Sequence, residues 1–330
     1  MNFPRSLNVF ASAVALFCIH WGVYADEELL SAARNFFEPL PKAMPNIEND
    51  SQLIIALGQD LFFETALSAN NEQSCNSCHN LDKTGSGADE TATSIGALGK
   101  TGTRNSPTVW NAGLQFALFW DARAATLEEQ ARGPLLNPQE MALPSENAAL
   151  EQLENEGYQA RFELAFANTP TPFNFDNLLF ALAAFQRTLI SKDRFDEFLL
   201  GDMEALADIE KRGLQRFMEL GCNGCHNGPL LGGDSLMKLG IAKPYPNQED
   251  KGRAMVTGKG IDNFRFKVPT LRNIGQTAPY FHDGRGLTLK SAVFYAARFQ
   301  LGVDLAAKDV DAITAFLRSL DNQKDLLLPQ

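Results

Sequence analysis

The sequence predicts a mostly α-helical fold of two similar halves, each threaded by long loops. Three observations carry that expectation. Cys-x-x-Cys-His occurs twice, at Cys75–His79 and Cys222–His226. Apolar residues at helical spacing precede each of these segments and recur near the end of each half. A block of residues between those landmarks is repeated in unbroken register. At 330 residues, 45% hydrophobic and 21% charged, the chain has ordinary globular composition and enough length for two domains.

The first 25 residues stand apart from this plan. Arg5 precedes the apolar run Leu7–Val23, and Val23-Tyr24-Ala25 suits signal-peptidase cleavage before Asp26. Residues 1–25 are therefore expected to be a signal segment, and the mature protein an exported, periplasmic one with no membrane span. Ser12, Cys18 and His20 interrupt the run, which is short for a transmembrane helix. Cleavage removes Cys18, so Cys75, Cys78, Cys222 and Cys225 remain and all lie inside Cys-x-x-Cys-His. Two-residue gaps followed each time by His are the spacing of thioether haem attachment. A zinc ribbon is the competing reading of paired cysteines, and export and the trailing histidines count against it. Arg5 is the one charged residue of the segment, so the 29 basic side chains fall to 28 against 40 acidic ones, a balance of −12. That excludes nucleic acid as an expected partner and favours encounter with a basic redox protein.

Ahead of the first Cys-x-x-Cys-His, Leu53, Ile54, Leu57, Leu61 and Phe62 mark a helix, with Asp50-Ser51 as its N-cap signal. Ahead of the second, Leu206, Ile209, Leu214, Phe217 and Met218 do the same and stop at Gly221. Closing helices are expected through Leu178–Leu189 and Val310–Leu320. Between them, Pro107-Thr108-Val109-Trp110-Asn111 is echoed by Pro269-Thr270-Leu271-Arg272-Asn273. Twelve residues beyond each proline comes Phe119-Trp120-Asp121-Ala122-Arg123 or Phe281-His282-Asp283-Gly284-Arg285, and nineteen beyond comes Thr126-Leu127 or Thr288-Leu289. Eight identities without a gap indicate an internal duplication with one haem per copy. The boundary falls near Ile190–Asp202, giving cytochrome c-like domains over residues 26–195 and 196–330. The remaining stretches, rich in Gly, Pro, Asn and Ser, lack period-2 alternation, so extensive sheet is not expected.

His79 and His226 are placed to bind the two irons from the proximal side. The opposite coordination positions decide function, because a six-coordinate haem relays electrons whereas an open one binds peroxide or oxygen. His282 is the one further histidine of the mature chain, and it reads as a hydrogen-bonded structural residue. Met44, Met141, Met203, Met218, Met237 and Met255 include no axial partner by spacing, so an open haem is expected. A purely electron-transferring cytochrome would instead have both haems closed.

These residues resemble the bacterial dihaem cytochrome c peroxidases and their relatives of the MauG type, from about Leu57 to Leu301. The specific stretches include Leu57-Gly58-Gln59-Asp60-Leu61-Phe62-Phe63, Arg104-Asn105-Ser106-Pro107-Thr108, Phe119-Trp120-Asp121 and Leu127-Glu128-Glu129-Gln130. Gly133-Pro134, Asn137-Pro138-Gln139-Glu140-Met141 and Ala278-Pro279-Tyr280-Phe281-His282-Asp283-Gly284 complete the set. The resemblance implies that the His79 haem is the peroxide site, with Gln130 and Glu140 on its distal face and Pro134 among the haem contacts. Peroxide cleavage needs a proton moved from the inner to the outer oxygen, which a carboxyl can do, while an amide can orient the ligand. Outside that resemblance Glu140 would read as a solvated surface carboxylate. Trp120 matches the family's tryptophan between the haems, an indole able to relay an electron hole, and it also suits a core position. Asn105, Thr277 and Pro279 match an inter-haem calcium site whose neutral oxygens suit a hard cation.

Two departures from the family pattern stand out. Typical peroxidases of the family carry Gly-His in the loop before Arg-Asn-Ser-Pro, and that histidine closes the resting peroxide haem; here the place reads Gly96-Ala97. Their second haem takes a methionine fourteen residues after the His of Phe-His-Asp-Gly, a count that here reaches Ala296. Its neighbour Tyr295 is the ligand candidate, as in the MauG-like branch, although one residue turns a helical side chain by about 100°. Together these imply an enzyme using hydrogen peroxide at a haem open without prior reduction. Its partner is expected to be a dedicated substrate protein oxidised at an aromatic side chain, or else a small cytochrome or cupredoxin donating electrons. A monomer or homodimer is expected.

Overall fold

The computed structural model describes residues 25–323; apart from Ala25, the expected signal segment lies outside the described residues. The chain runs through α1 (residues 25–33), α2 (Gln52–Phe63), the short α3 (Cys75–Cys78), α4 (Leu127–Leu136), α5 (Glu146–Asn155), α6 (Gln159–Ala165) and α7 (Phe175–Arg187). It continues through α8 (Arg194–Leu200), α9 (Asp208–Glu219), β1 (Leu236–Lys238), α10 (Ala254–Thr257), β2 (Arg265–Lys267), α11 (Leu289–Ala296) and α12 (Ala307–Arg318). The fold is mostly helical, as expected. β1 and β2 pair antiparallel, with Met237 opposite Phe266.

Each of the four long helices follows from its own sequence. Ser51 caps α2, its hydroxyl accepting from the Ile54 N–H at 3.3 Å, and the face Ile54, Leu57, Leu61 and Phe62 is buried. The Asn174 side chain caps α7, which buries almost every residue from Leu178 to Arg187. In α9 the Glu210 carboxylate reaches back to the Ala207 N–H at 2.8 Å, and the chain leaves the helix through Gly221 at φ 81°. In α12, Val310, Ile313, Phe316 and Leu317 form the buried stripe. Helices α4, α5, α6 and α8 fill stretches where the sequence reading placed loops, and capping side chains start three of them, Thr126, Ser145 and Asp193, as Thr288 starts α11.

Two crossings organise the halves. α2 packs on α7, and α9 on α12. At the first, a Cβ on Gly58 would lie 1.8 Å from the Ala181 carbonyl oxygen; at the second, a Cβ on Gly213 would lie 2.0 Å from that of Ala312. Backbone touches backbone at both places, and only glycine leaves room. The loops between the helices also share a geometry. Asn111 and Asn273 take φ 61° and 65°, Phe119 and Phe281 take 67° and 68°. Bridges join Leu118 to Ala124 and Tyr280 to Gly286, the same offsets from Pro107 and Pro269. The Asn111 N–H donates to Leu189 O at 2.8 Å and the Asn273 N–H to Leu320 O at 2.7 Å, so each loop is tied to the end of its closing helix.

The apolar residues form two main cores. Trp110, Phe62, Phe162 and Phe185 lie in the first, and Phe195, Phe217 and Phe316 in the second. Leu30, Ala33 and Phe37 join the second core although they precede the first half in sequence. The Arg34 guanidinium donates to Leu199 O at 2.7 Å, and the Leu40 N–H donates to Asp196. Backbone hydrogen bonds from Lys267 N to Trp120 O (2.7 Å), Phe116 N to Gly233 O (2.9 Å) and Asn105 N to His282 O (2.8 Å) close the seam between the halves. No helix among the described residues is long and apolar enough to cross a membrane.

The glycine at the α2–α7 crossing yields a direct test. Gly58→Ala is expected to lower the free energy of unfolding by about 1–3 kcal/mol, the usual cost of forcing atoms into a filled contact. Gly102→Ala, whose added carbon meets nothing nearer than 3.5 Å, is the control expected to leave it unchanged. Denaturant unfolding followed by circular dichroism measures both.

Candidate active site

The two imidazoles are held alike. His79 Nδ1 lies 3.0 Å from the Pro107 carbonyl oxygen and 3.3 Å from that of Gly87. His226 Nδ1 lies 2.9 Å from the Leu231 carbonyl oxygen. In each ring Nδ1–H donates to the main chain and Nε2 is the nitrogen left to ligate a metal. Burial holds both histidines below the usual imidazole range, so both are neutral ligand-ready bases near pH 7. The Thr108 and Thr270 hydroxyls, one residue beyond the repeated prolines, pin the same loops to Ser86 O (2.8 Å) and Leu230 O (2.9 Å).

All four described cysteines are free thiols. Burial pushes the Cys75 thiol up to about 12 and that of Cys222 up to about 11. No group of three or more His, Cys, Asp and Glu side chains that could hold a metal ion forms among the described residues, which removes the zinc-ribbon reading. A cavity of about 300 Å³ opens beside Cys222, Cys225 and His226 and extends past Trp120 to Pro107, at the loop that orients His79. Its walls are mainly apolar, but two buried nitrogenous side chains look into it. Lys267 is 6% exposed and its ammonium meets the Gln115 amide oxygen; burial pushes it down to about 7. His282 is 2% exposed, and neither ring nitrogen has a hydrogen-bond partner. The expectation that His282 is hydrogen-bonded is thus corrected: its ring stacks on Phe266 at 4.3 Å and meets Trp120 edge-on at 6.4 Å. Thiols and a free Nε2 at one wall, apolar surface across it, and the buried Lys267 ammonium and unpartnered His282 ring that suit carboxylates all fit a covalently attached haem with its propionates.

The remaining candidates fall into three places. Glu140 is half-buried and Asn137 Nδ2 donates to its Oε1 at 2.7 Å. Burial holds this carboxyl above the usual range, opposed by the Asn137 amide and the Arg123 charge. It stands close to the first Cys-x-x-Cys-His segment: burial first, and behind it the Asp89 and Glu140 charges, raise the Cys78 thiol. Glu140 is therefore not the solvated carboxylate its Pro-containing loop suggests. The Gly96-Ala97 loop lies directly on it, with the Ala97 N–H donating to Glu140 O at 2.7 Å and no room for a Cβ on Gly96, which would sit 2.1 Å from Gln139 O. Gln130 and Pro134 lie on α4, whose C-terminal end leads into that segment.

Trp120 lies at the seam, where its indole N–H donates to Asn105 O at 2.9 Å. Asn105, Thr277 and Pro279, the calcium candidates, all line the same cavity as Trp120. Tyr295, in the last turn of α11, also lines it, as does Ala296; the phenol is 40% exposed and its ring stacks on Phe299 at 5.9 Å. Lys267 was missed by sequence reasoning, although the repeat sets it opposite Asn105, 162 residues apart as are Pro107 and Pro269. The network that joins Arg104 to Asp121 and Asp250, both at 2.7 Å, was missed as well.

Two oriented imidazoles, each following a pair of free thiols, define a c-type protein built for two haems, with a half-buried carboxyl near the first. Comparison with known proteins narrows the class. Residues 52–204 match the family model described as di-haem cytochrome c peroxidase. The chain is 40% identical over 319 residues to cytochrome c551 peroxidase of Nitrosomonas europaea, covering 96% of this chain and 93% of that one. It is 31% identical over 279 residues to methylamine utilization protein MauG of Methylophilus methylotrophus, covering 80% and 81%. Among solved structures, a MauG-like protein associated with microbial copper homeostasis superposes with a TM-score of 0.75 at 27% identity, covering 87% of this chain and 94% of that one. The chain belongs to the di-haem cytochrome c peroxidase family, oxidoreductases that use peroxide and carry two covalently bound haem c groups.

The raised Glu140 carboxyl gives a pH dependence. The folded protein holds this proton more tightly than the unfolded chain, so its contribution to stability is complete at acid pH and is lost as pH rises through the folded value. Glu140→Gln has no such loss. The stability of the variant relative to the parent should therefore increase from about pH 4 to about pH 8, and urea unfolding across that range would show a flat difference if the carboxyl were unperturbed.

Proposed function

We propose that this protein is a periplasmic dihaem enzyme that uses hydrogen peroxide at the His79 haem without prior reduction. Attachment is through Cys75 and Cys78 for that haem and through Cys222, Cys225 and His226 for the second, with calcium between them at Asn105, Thr277 and Pro279. The observation that carries the reading is the Glu140 segment: a proton-holding carboxyl near the first haem-attachment segment, covered by a loop that reads Gly96-Ala97 and offers no side chain able to ligate iron. When bound, the haem supplies an iron at which the peroxide O–O bond breaks and two oxidising equivalents are retained.

The protein's own groups do the rest. The Glu140 carboxyl accepts the proton of the inner peroxide oxygen and delivers it to the outer one, so that water leaves; its raised proton affinity suits both halves of that transfer near neutral pH. The Gln130 amide would orient the ligand, and Pro134 is among the residues that would hold the haem. The Pro107 carbonyl holds the His79 ring in one tautomer and so makes Nε2 the more basic nitrogen. Trp120 spans the seam and passes oxidising equivalents between the halves. Tyr295 is the sixth-ligand candidate for the His226 haem.

We further propose that the equivalents go to an aromatic side chain of a partner protein, as the loss of both the blocking histidine and the methionine at position 296 suggests. A second reading, peroxide reduction with electrons from a small cytochrome or cupredoxin, draws support from the 40% identity to cytochrome c551 peroxidase. The test is to mix fully ferric protein with one equivalent of peroxide and follow both haems by stopped-flow absorption. Rapid formation of a long-lived two-haem oxidised state is expected; no reaction until one haem is reduced would overturn the open-site reading. Glu140→Gln should slow the reaction by about 10²–10⁴-fold, the range for losing a positioned acid–base group, while both haems stay attached. Trp120→Phe should leave peroxide cleavage intact and slow transfer between the haems.

A further inference from the structure

We infer that Tyr245 is a redox-active side chain of this protein, a phenol that passes its proton to Asp283 when it loses an electron to equivalents derived from peroxide. The inference rests on the peroxide reading above and adds a residue that neither the resemblance nor the motifs single out. Tyr245 is 4% exposed, and its hydroxyl donates to Asp283 Oδ1 at 2.8 Å. The other Asp283 oxygen accepts from Asn247 Nδ2 at 3.0 Å and faces the Arg285 guanidinium at 3.2 Å, which fixes the carboxylate beneath the phenol.

The position of the ring matters as much as the hydrogen bond. The Tyr245 ring lies 5.6 Å from His282, centre to centre, and His282 lies 6.4 Å from Trp120. On its other side Tyr245 meets Phe299 edge-on at 5.5 Å, and Phe299 stacks on Tyr295 at 5.9 Å. A packed series of rings therefore leads from the indole at the seam to Tyr295 on the wall of the cavity beside His226, with Tyr245 in the middle.

Removing an electron from a phenol makes its proton strongly acidic, so a buried tyrosine is oxidised readily only where a base stands ready to take that proton. Burial and the Asp283 carboxylate hold the Tyr245 hydroxyl well above the usual range, so the phenol keeps its proton until it is oxidised. In the oxidation one electron leaves the ring, the O–H bond breaks, and the proton forms the carboxylic acid of Asp283, leaving a neutral phenoxyl; reduction returns proton and electron together. The ring is neutral at both stages; the positive charge that remains after the electron leaves is that of the Arg285 guanidinium, whose carboxylate partner has taken the proton and whose side chain is open to solvent. The other described phenols lack the combination. Tyr280 donates to the Ile274 carbonyl oxygen, which is not a proton acceptor of this kind. Tyr158 donates to the Glu64 carboxylate at 2.7 Å but belongs to the first core, away from the rings at the seam.

The test is to mix the holoprotein with peroxide in the absence of any reductant, quench by freezing, and record the radical region by electron paramagnetic resonance with ring-deuterated tyrosine as the assignment. A tyrosyl signal is expected in the parent and in Tyr158→Phe, and its loss is expected in Tyr245→Phe. Asp283→Asn keeps a hydrogen-bond acceptor under the phenol but removes the base, and the signal should fall several-fold. Haems that react with peroxide while Tyr245→Phe keeps the full tyrosyl signal, or while the parent gives none, would overturn this inference and leave the peroxide reading standing. Haems that do not respond to peroxide at all would overturn both.

Discussion

The main-chain carbonyl that receives each proximal Nδ1–H is the constraint on which the rest depends. An imidazole can rotate about two bonds, and a metal ligand must present one nitrogen in one direction, so something rigid has to hold the other nitrogen. Here Pro107 holds His79 and Leu231 holds His226. Neither carbonyl belongs to a helix, and a free loop could not keep it in place. The repeated Thr and Asn side chains and main-chain bonds supply the stiffness, through Thr108 to Ser86 and Asn111 to Leu189 in one half, and Thr270 to Leu230 and Asn273 to Leu320 in the other. Because Leu189 and Leu320 follow directly on α7 and α12, the glycine crossings at Gly58 and Gly213 set where those loops are anchored.

The two loops of matching geometry carry different side chains at corresponding positions. Trp110 of the first half corresponds to Arg272 of the second. The indole is fully buried and donates to Gly85 O beside the His79 loop. Arg272 is equally buried but pairs with Asp193 at 2.7 Å and donates to Glu38 O, which ties the N-terminal stretch and α8 to the second loop. Breaking such a fully buried pair by removing one partner costs about 3–5 kcal/mol, so the second half spends this position on holding distant segments together. Trp120 corresponds to His282 and Asn105 to Lys267, and all four meet at the seam.

What the sequence made legible follows from which interactions are local. Ser51 and Asn174 with their apolar stripes announce α2 and α7, and the Cys-x-x-Cys-His spacing announces the attachment segments, because each lies within a few residues. The short helices α5 and α6 escaped notice since their apolar faces are short, with Ala149 and Leu153 buried in one and Phe162 in the other. The burial of Glu140 was legible only through resemblance, because the Ala97 loop that lies on it and the Arg123 charge that acts on it are remote in the chain. Arg104 and Asp250 are 146 residues apart, and the Tyr245–Asp283 pair is 38 apart with no motif at Tyr245. No pattern within a window of residues encodes such contacts: the Arg104–Asp250 pair exists only once the two halves have closed on each other, and the Tyr245–Asp283 pair only once the second half has folded.

That closure bears on whether Trp120 is a structural or a redox residue, alternatives that the sequence left side by side. Its carbonyl accepts from Lys267 and its indole donates to Asn105, whose own N–H donates to His282 O. The residue is therefore bound into the seam by backbone as well as side chain. A relay between two cofactors must keep its distance to both through every turnover, and that demands the fixed setting a core aromatic has. The hydrogen bond from the indole to a carbonyl, rather than to a carboxylate, also leaves the proton without a place to go. An oxidised Trp120 would then keep its positive charge in a half-buried setting, and would pass the hole on rather than store it. The phenol of Tyr245, with a carboxylate under its hydroxyl, has the opposite character, so on the proposed roles Trp120 would transfer the oxidising equivalent and Tyr245 would store it.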